Sequence, residues 1–256
     1  MTAAFAAPRL TLASAPNRQL LAVTLAIMLS ALPIIVALAL DDRVFQDDNV
    51  WLKPLKFQVA LCLYTATLTG FAMLLPEDSF TSRRWRVWIG VVIAAIGYEL
   101  IWIGTAAALG TGSHFHVEGI WGPLYGLAGL SAVTLTALAA TMAPAFWRLR
   151  SDPLHLSIAV GLVLTFALTI LVAGTLSSRT GHYIGTPTTG ARFPVFGWLA
   201  EVGDLRLPHF LATHAMHAVP LAGLTGSRSA VWATAAGFTA LTLWCFARAL
   251  QGLPPF

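Results

Sequence analysis

Charged side chains are scarce in this chain. Only 10% of its residues are Asp, Glu, Lys or Arg, whereas a water-facing globular surface draws on roughly 25%. A separate soluble domain is thereby excluded. Lysine is rarer still: Lys53 and Lys56 are the only two, and both precede the second long apolar run. A retinal Schiff base in a last span has no lysine to form on. The two cysteines, Cys62 and Cys245, both stand in apolar stretches. They read as small packing residues, and no redox compartment follows from them. H-E-x-x-H, G-x-S-x-G, phosphate-loop, dinucleotide and C-x-x-C signatures are all missing. The formal charge of +4 is spread thinly along the chain, which argues against a nucleic-acid face.

What the chain has instead is hydrophobicity. Apolar residues make up 57% of it and its mean hydropathy is +0.75. Crossing ~30 Å of hydrocarbon takes ~20 apolar residues as a helix. Runs of that kind lie at Leu21–Leu40, Phe57–Leu75, Val87–Leu109, Ile120–Ala143, Leu154–Leu176, Leu207–Leu224 and Ala230–Leu250. The pattern predicts an all-α polytopic transmembrane helix bundle with seven spans. The sixth run is short and carries Pro208, Pro220 and three histidines, so a six-span arrangement with that run re-entrant is the alternative. Residues 19–256 form one bundle domain in this reading, preceded by a frayed Ala-rich segment, Thr2–Arg18. Ala37 and Ala39 resemble a cleavage site, but the apolar run before them exceeds the ~7–15 residues of a signal peptide's apolar core, and the reading is a retained helix. Gly122 and Gly126 form a G-x-x-x-G, a pattern of close helix packing.

Orientation follows from the compact clusters Arg83–Arg86 and Arg148–Arg150, set against a connection between spans three and four that has no Lys or Arg. The expectation is a multi-pass bacterial inner-membrane protein with a cytoplasmic N-terminus. Its partners are then the lipid bilayer and an electron-transfer or other membrane protein, with no nucleic acid.

Polar chemistry collects toward one side of this arrangement. His114, His116, His182 and His209 map to the face bearing the odd-to-even connections, and only His155 falls opposite. On the sixth span, His214 lies about 140° and His217 about 80° around the helix from His209. All three share one broad face, with His214 ~10 Å and His217 ~15 Å from the span's start. Glu99 in the third span lies ~15 Å from that side. An unpaired acid at that depth costs at least ~2.5–3.5 kcal/mol on insertion scales, which makes Glu99 the candidate catalytic or proton-relaying group. His114 and His116, followed by Glu118, have the donor chemistry for Zn, Cu or Fe. The candidate metal set is His114, His116, His209, His214 and His217, with His114, His209 and His214 as cofactor ligands. For each histidine, interfacial polarity or a hydrogen bond between helices is the competing structural role.

Several of these residues fall in short motifs: Trp51-Leu-Lys-Pro-Leu-Lys-Phe57, Glu99, Ser113-His114-Phe115, Asp204-Leu-Arg-Leu-Pro-His209-Phe and His214-Ala-Met. By them the chain, from about Trp51 to Gly223, resembles a group of bacterial polytopic inner-membrane proteins to which no activity is attached. In that group asparagine stands at the place of His116, and glutamine often at that of His217. The resemblance therefore favours Glu99, His114, His209 and His214. Three functions compete: a haem- or transition-metal-binding redox protein (Fe, Cu or Zn), a proton-coupled transporter relaying through Glu99 and the sixth-span histidines, and a non-catalytic membrane assembly protein.

Overall fold

The computed structural model describes residues 15–76 and 82–255. Residues 2–14, most of the segment expected to fray, lie outside them and take Arg9 with them; residues 15–18 are helical. The elements run α1 (Ala15–Leu40), β1 (Val44–Phe45), β2 (Asp48–Asn49), α2 (Leu52–Ala72), α3 (Arg83–Ala108) and α4 (Trp121–Ala140). There follow α5 (Ala143–Arg148), α6 (Pro153–Ser177), β3 (Tyr183–Ile184), β4 (Gly203–Asp204), α7 (Arg206–Gly223) and α8 (Arg228–Leu250). The fold is all-α, with two minimal hairpin-like pairings in the connections.

A helix stands at each of the seven apolar runs, and α5 is the one helix that the apolar pattern did not separate from its neighbour. Six segments are long and apolar enough to cross a membrane: Arg18–Leu40, Leu52–Ala72, Arg83–Ala108, Trp121–Arg148, Pro153–Ser177 and Arg228–Leu250. α7 is not among them, because its polar residues dilute its 18 positions. Large side chains such as Leu29 (66% exposed), Leu32, Ile101 and Leu130 stand on outer surfaces. Contiguous apolar surface of this kind belongs in lipid rather than water. The protein is membrane-embedded.

Side-chain caps start the helices. Ser82 accepts from Trp85 N–H at α3, Asp152 from His155 N–H at α6, and Ser227 from Ala230 N–H at α8, each satisfying a donor that the first helical turn leaves open.

The chain divides into two compact units, with the boundary between Ala132 and Val133 inside α4. In the first, α1 packs along α2 through buried polar contacts. Thr24 Oγ1 donates to Thr65 Oγ1 at 2.9 Å, and Ser30 Oγ to Gln58 Oε1 at 3.1 Å. β1 and β2 close through Gln46 and Asp47, both at positive φ (53° and 67°), as a tight primed turn requires. Beside this hairpin, Asp41 accepts from Arg43 Nε and Nη2 and from Trp51 Nε1 at 2.7 Å. Arg43 Nη1 also donates to the Ala108 carbonyl at the end of α3. The Arg43 guanidinium, and then the Trp51 indole, hold the Asp41 carboxyl well below the usual carboxylate range.

The second unit is built on α6, α7 and α8. One apolar cluster joins the start of α6 (Leu156, Val160), the end of α7 (Val219, Ala222) and the start of α8 (Val231, Ala235). Another joins the end of α6 (Leu168, Val172), the start of α7 (Leu205, Ala212) and the end of α8 (Phe246, Ala249). α7 therefore runs antiparallel to both neighbours. Its approach to α6 is close enough that a Cβ on Gly223 would lie 2.2 Å from Ser157 Oγ and 2.8 Å from Leu154 Cα. At mid-length, the Met216 N–H donates to Thr165 Oγ1 of α6 at 2.7 Å.

The G-x-x-x-G of α4 does not serve as a packing seam among the described residues. A Cβ on Gly126 would meet nothing within 4 Å, and the tight neighbour of Gly122 is the Val117 carbonyl of the preceding connection.

Candidate functional site

The first unit gathers a polar centre from α2, α3, the α3–α4 connection and the start of α4. The end of α3 prepares it. Gly110 (φ 65°) adopts the left-handed conformation, its N–H donating to Ala107 O and that of Thr111 to Ala106 O. This pair of bonds closes the helix and turns the chain back toward α3. Trp102, buried on α3, fixes the returning chain by donating Nε1 to the Ser113 carbonyl at 2.9 Å. Phe115 sits at φ 60°, a costly conformation for a bulky residue, with its ring against Tyr125.

His114 is held by this turn. Its Nδ1 is 3.1 Å from Lys53 Nζ and 3.1 Å from Ser113 Oγ, and its ring packs between Phe57 and Tyr125. An ammonium has three donors and no lone pair, so Nδ1 is an acceptor here and the proton of neutral His114 rides on Nε2. Lys53 stands exposed at the rim, while Glu99 is buried at 4% exposure. Tyr98, next to Glu99, donates its hydroxyl to the Leu124 carbonyl of α4 at 2.8 Å and fixes α4 against α3 one residue from the acid.

His116 is used differently. Its ring stacks on Trp121 at 4.9 Å, and its Nδ1 lies 3.2 Å from Thr111 Oγ1. His114, His116 and Glu118 do not converge, and among the described residues no three His, Cys, Asp or Glu side chains form a metal-ligating group. His114 also fits a metal poorly. Ligation through Nε2 would put a proton on Nδ1, facing the Lys53 ammonium, whereas metal-bound imidazoles donate that proton to an acceptor.

The second unit carries the α7 histidines. His214 Nδ1 lies 2.8 Å from the Phe210 carbonyl one turn back and 3.1 Å from Thr213 Oγ1. A carbonyl only accepts, so the proton sits on Nδ1 and the Nε2 lone pair is left for a ligand or a proton. Its ring stacks on Phe210 at 3.9 Å and lies 5.0 Å from that of His217, as the shared helix face predicts. His209 Nδ1 is buried with no hydrogen-bond partner among the described residues. Phe196 and Trp198, stacked at 4.3 Å, cover Phe210 edge-on from the α6–α7 connection.

The Asp204-Leu-Arg206 part of the last motif is structural. Asp204, buried, accepts from Leu199 N–H, Arg206 N–H and Arg206 Nε, and Arg206 Nη2 reaches on to the Gly197 carbonyl. The pair ties the aromatic stretch to the start of α7. Glu201 likewise receives the Thr189 hydroxyl and the N–H groups of Thr189, Thr188 and Gly190. These bonds hold its carboxyl below the ordinary range. His182 lends its carbonyl to Leu205 N–H, and His155 pairs with the α6 cap Asp152.

Of the residues singled out in the sequence, Glu99, His114 and His116 belong to the first unit, and His209, His214 and His217 to the second. Sequence reasoning missed Lys53 and Ser113 as partners of His114. The signal was there, since one of only two lysines sits in the same motif as Trp51 and on the same side as His114. Compared with family models, with curated proteins and with solved structures, the chain finds no match.

Proposed function

We propose that this is a seven-span inner-membrane protein that exchanges protons through the Lys53–His114–Glu99 centre, as the titrating site of a proton-coupled carrier. The observation that carries the reading is a gradient of burial within the first unit: an exposed ammonium, a half-buried imidazole touching it, and a buried acid on α3. A carboxyl inside an apolar span is expensive and marks proton or ion pathways. The imidazole supplies a group at its mouth that can take up and release a proton through its ring nitrogens.

The antiparallel course of α7 supports seven spans. α6 and α8 run in the same direction, each with the length and hydropathy of a span, and α7 packed along both is the return path between them. The arginine clusters at 83–86 and 148–150 support a cytoplasmic N-terminus.

Infrared difference spectroscopy on the reconstituted protein tests the reading without knowledge of a substrate. A carboxyl C=O band that appears and disappears as pH is varied is expected, absent in Glu99→Gln and altered in Lys53→Gln. Difference spectra of Glu99→Gln identical to the parent's would remove Glu99 from proton exchange.

A second reading rests on a different observation, the Nδ1–H of His214 spent on the Phe210 carbonyl. This is how imidazoles that bind haem or metal through Nε2 are oriented. His214 would hold such a group, with His209 or His217 as a second ligand. Visible absorption and metal analysis of protein purified without chelators test it: His214→Ala lowers occupancy and His155→Ala does not. Absence of both haem and stoichiometric metal from the parent rejects it.

A further inference from the structure

An open surface cavity of about 330 Å³ in the second unit is lined by Arg148, Arg150, Ser151 and Arg228. It forms where the end of α5 and the α5–α6 connection meet the start of α8. Arg228 Nη1 donates to the Arg150 carbonyl at 2.7 Å, which folds the two connections together. Arg150 donates Nη1 to the Trp147 carbonyl, and its guanidinium lies 5.1 Å over the Trp147 ring. These contacts aim the arginines but leave most of their donors unused, since each guanidinium has five N–H groups. Among the described residues none of the three makes an ion pair. The nearest acid in sequence, Asp152, is taken by the His155 ring and by the His155 N–H.

Three like charges around one cleft repel each other unless an anion sits among them. Guanidinium forks match the oxygens of a phosphate, and the Ser151 hydroxyl lines the same space. The surroundings choose between a phosphate in water and one carried by a lipid. Trp147 (44% exposed) precedes Arg148, and Trp232 (49%) lies one turn beyond Arg228; Leu221 (65%) and Leu224 (70%) present apolar surface from the end of α7. Exposed tryptophans mark the level of lipid headgroups, and the exposed leucines offer a surface for acyl chains.

We infer that the Arg148–Arg150–Arg228 cavity binds the phosphate of an anionic phospholipid at the membrane interface. The site is separate from the proton-exchanging centre and does not rest on that reading.

Native mass spectrometry of the full chain in detergent, titrated with phosphatidylglycerol, phosphatidylcholine or inorganic phosphate, tests it. The parent should bind phosphatidylglycerol at least tenfold tighter than phosphatidylcholine. One arginine near an anionic headgroup contributes roughly fivefold, so Arg148→Gln should weaken phosphatidylglycerol about fivefold. The Arg148 side chain makes no hydrogen bond among the described residues, which makes this single substitution safe for folding. The triple change Arg148→Gln, Arg150→Gln, Arg228→Gln should abolish the preference, whereas Arg83→Gln, Arg84→Gln, Arg86→Gln should keep it. A parent without preference, or a preference surviving in both Arg148→Gln and the triple variant, overturns the site. Inorganic phosphate binding as tightly as phosphatidylglycerol overturns its assignment to a lipid.

Discussion

Lys53 Nζ lies 3.1 Å from Nδ1 of His114, across 61 residues of sequence. The contact joins the first turn of α2 to the α3–α4 connection, and its chemistry fixes which ring nitrogen carries the proton. Nitrogen-15 NMR of histidine-labelled protein should find neutral His114 as the Nε2–H tautomer. Lys53→Met leaves Ser113 as the donor to Nδ1 and should move that resonance. An Nδ1–H tautomer in the parent would break the link between Lys53 and the centre.

Asp41 gives a prediction in pH. Its carboxyl is held below the usual range by Arg43 and Trp51, so the folded state binds its proton more weakly than the unfolded chain does. The stabilisation is present above the unfolded carboxyl's pKa of ~3.9 and is lost as pH falls below that toward the folded value. Thermal unfolding in detergent should show the parent losing stability as pH drops below about 4. Asp41→Asn should start from a lower Tm at neutral pH and lose less of it on acidification. Parallel acid limbs would mean that the Asp41 pairing adds nothing to stability.

Two glycines are set by close approach and a third is not. A Cβ on Gly203 would lie 2.1 Å from the Ala249 carbonyl oxygen, a backbone atom of α8, and one on Gly223 would meet α6. Overpacking of this kind costs about 1–3 kcal/mol or more. Gly203→Ala and Gly223→Ala should each lower the melting temperature, with Gly203 the worse because no side chain can give way. Gly126→Ala, facing open space within α4, should be neutral or slightly stabilising through helix propensity. Equal losses at all three positions would mean that α4 is packed against something at Gly126 in the membrane.

Much of this architecture was legible because a bilayer imposes a strong constraint on sequence. Twenty apolar residues in a row have few other uses, and each such run is a helix. Helical periodicity also placed His214 and His217 on one face, and their rings lie 5.0 Å apart. Contacts between distant segments were not legible. Nothing in the spacing of His114 and His116 says that one meets Lys53 while the other stacks on Trp121. Asp204 and Arg206 stood in one short motif with His209, and nothing in that motif told that their work is to brace the connection before α7. The arginines at 148–150 read only as an orientation signal, because Arg228, which closes the cavity with them, lies about 80 residues further on.

The side on which the α7–α8 connection emerges decides between seven spans and six. Within the second unit, Arg228 donates to the Arg150 carbonyl, so the α5–α6 and α7–α8 connections lie at the same end of α6 and α8. If α6 spans the bilayer, that end faces away from the α6–α7 connection that carries Thr188. Single cysteines at Ser151, Thr188 and Thr225, in a chain whose Cys62 and Cys245 are replaced by Ala, report this through an impermeant thiol reagent. Thr225 should label from the same side as Ser151 and opposite to Thr188, with Gly112→Cys following Thr188. With the cytoplasmic N-terminus proposed above, Ser151 and Thr225 should label from the cytoplasmic side. Labelling of Thr225 together with Thr188 would instead make α7 re-entrant. It would also put Arg228 across the membrane from Arg150, which the hydrogen bond between them forbids, so that one result would reject both the seven-span order and the packing of α8 against α6.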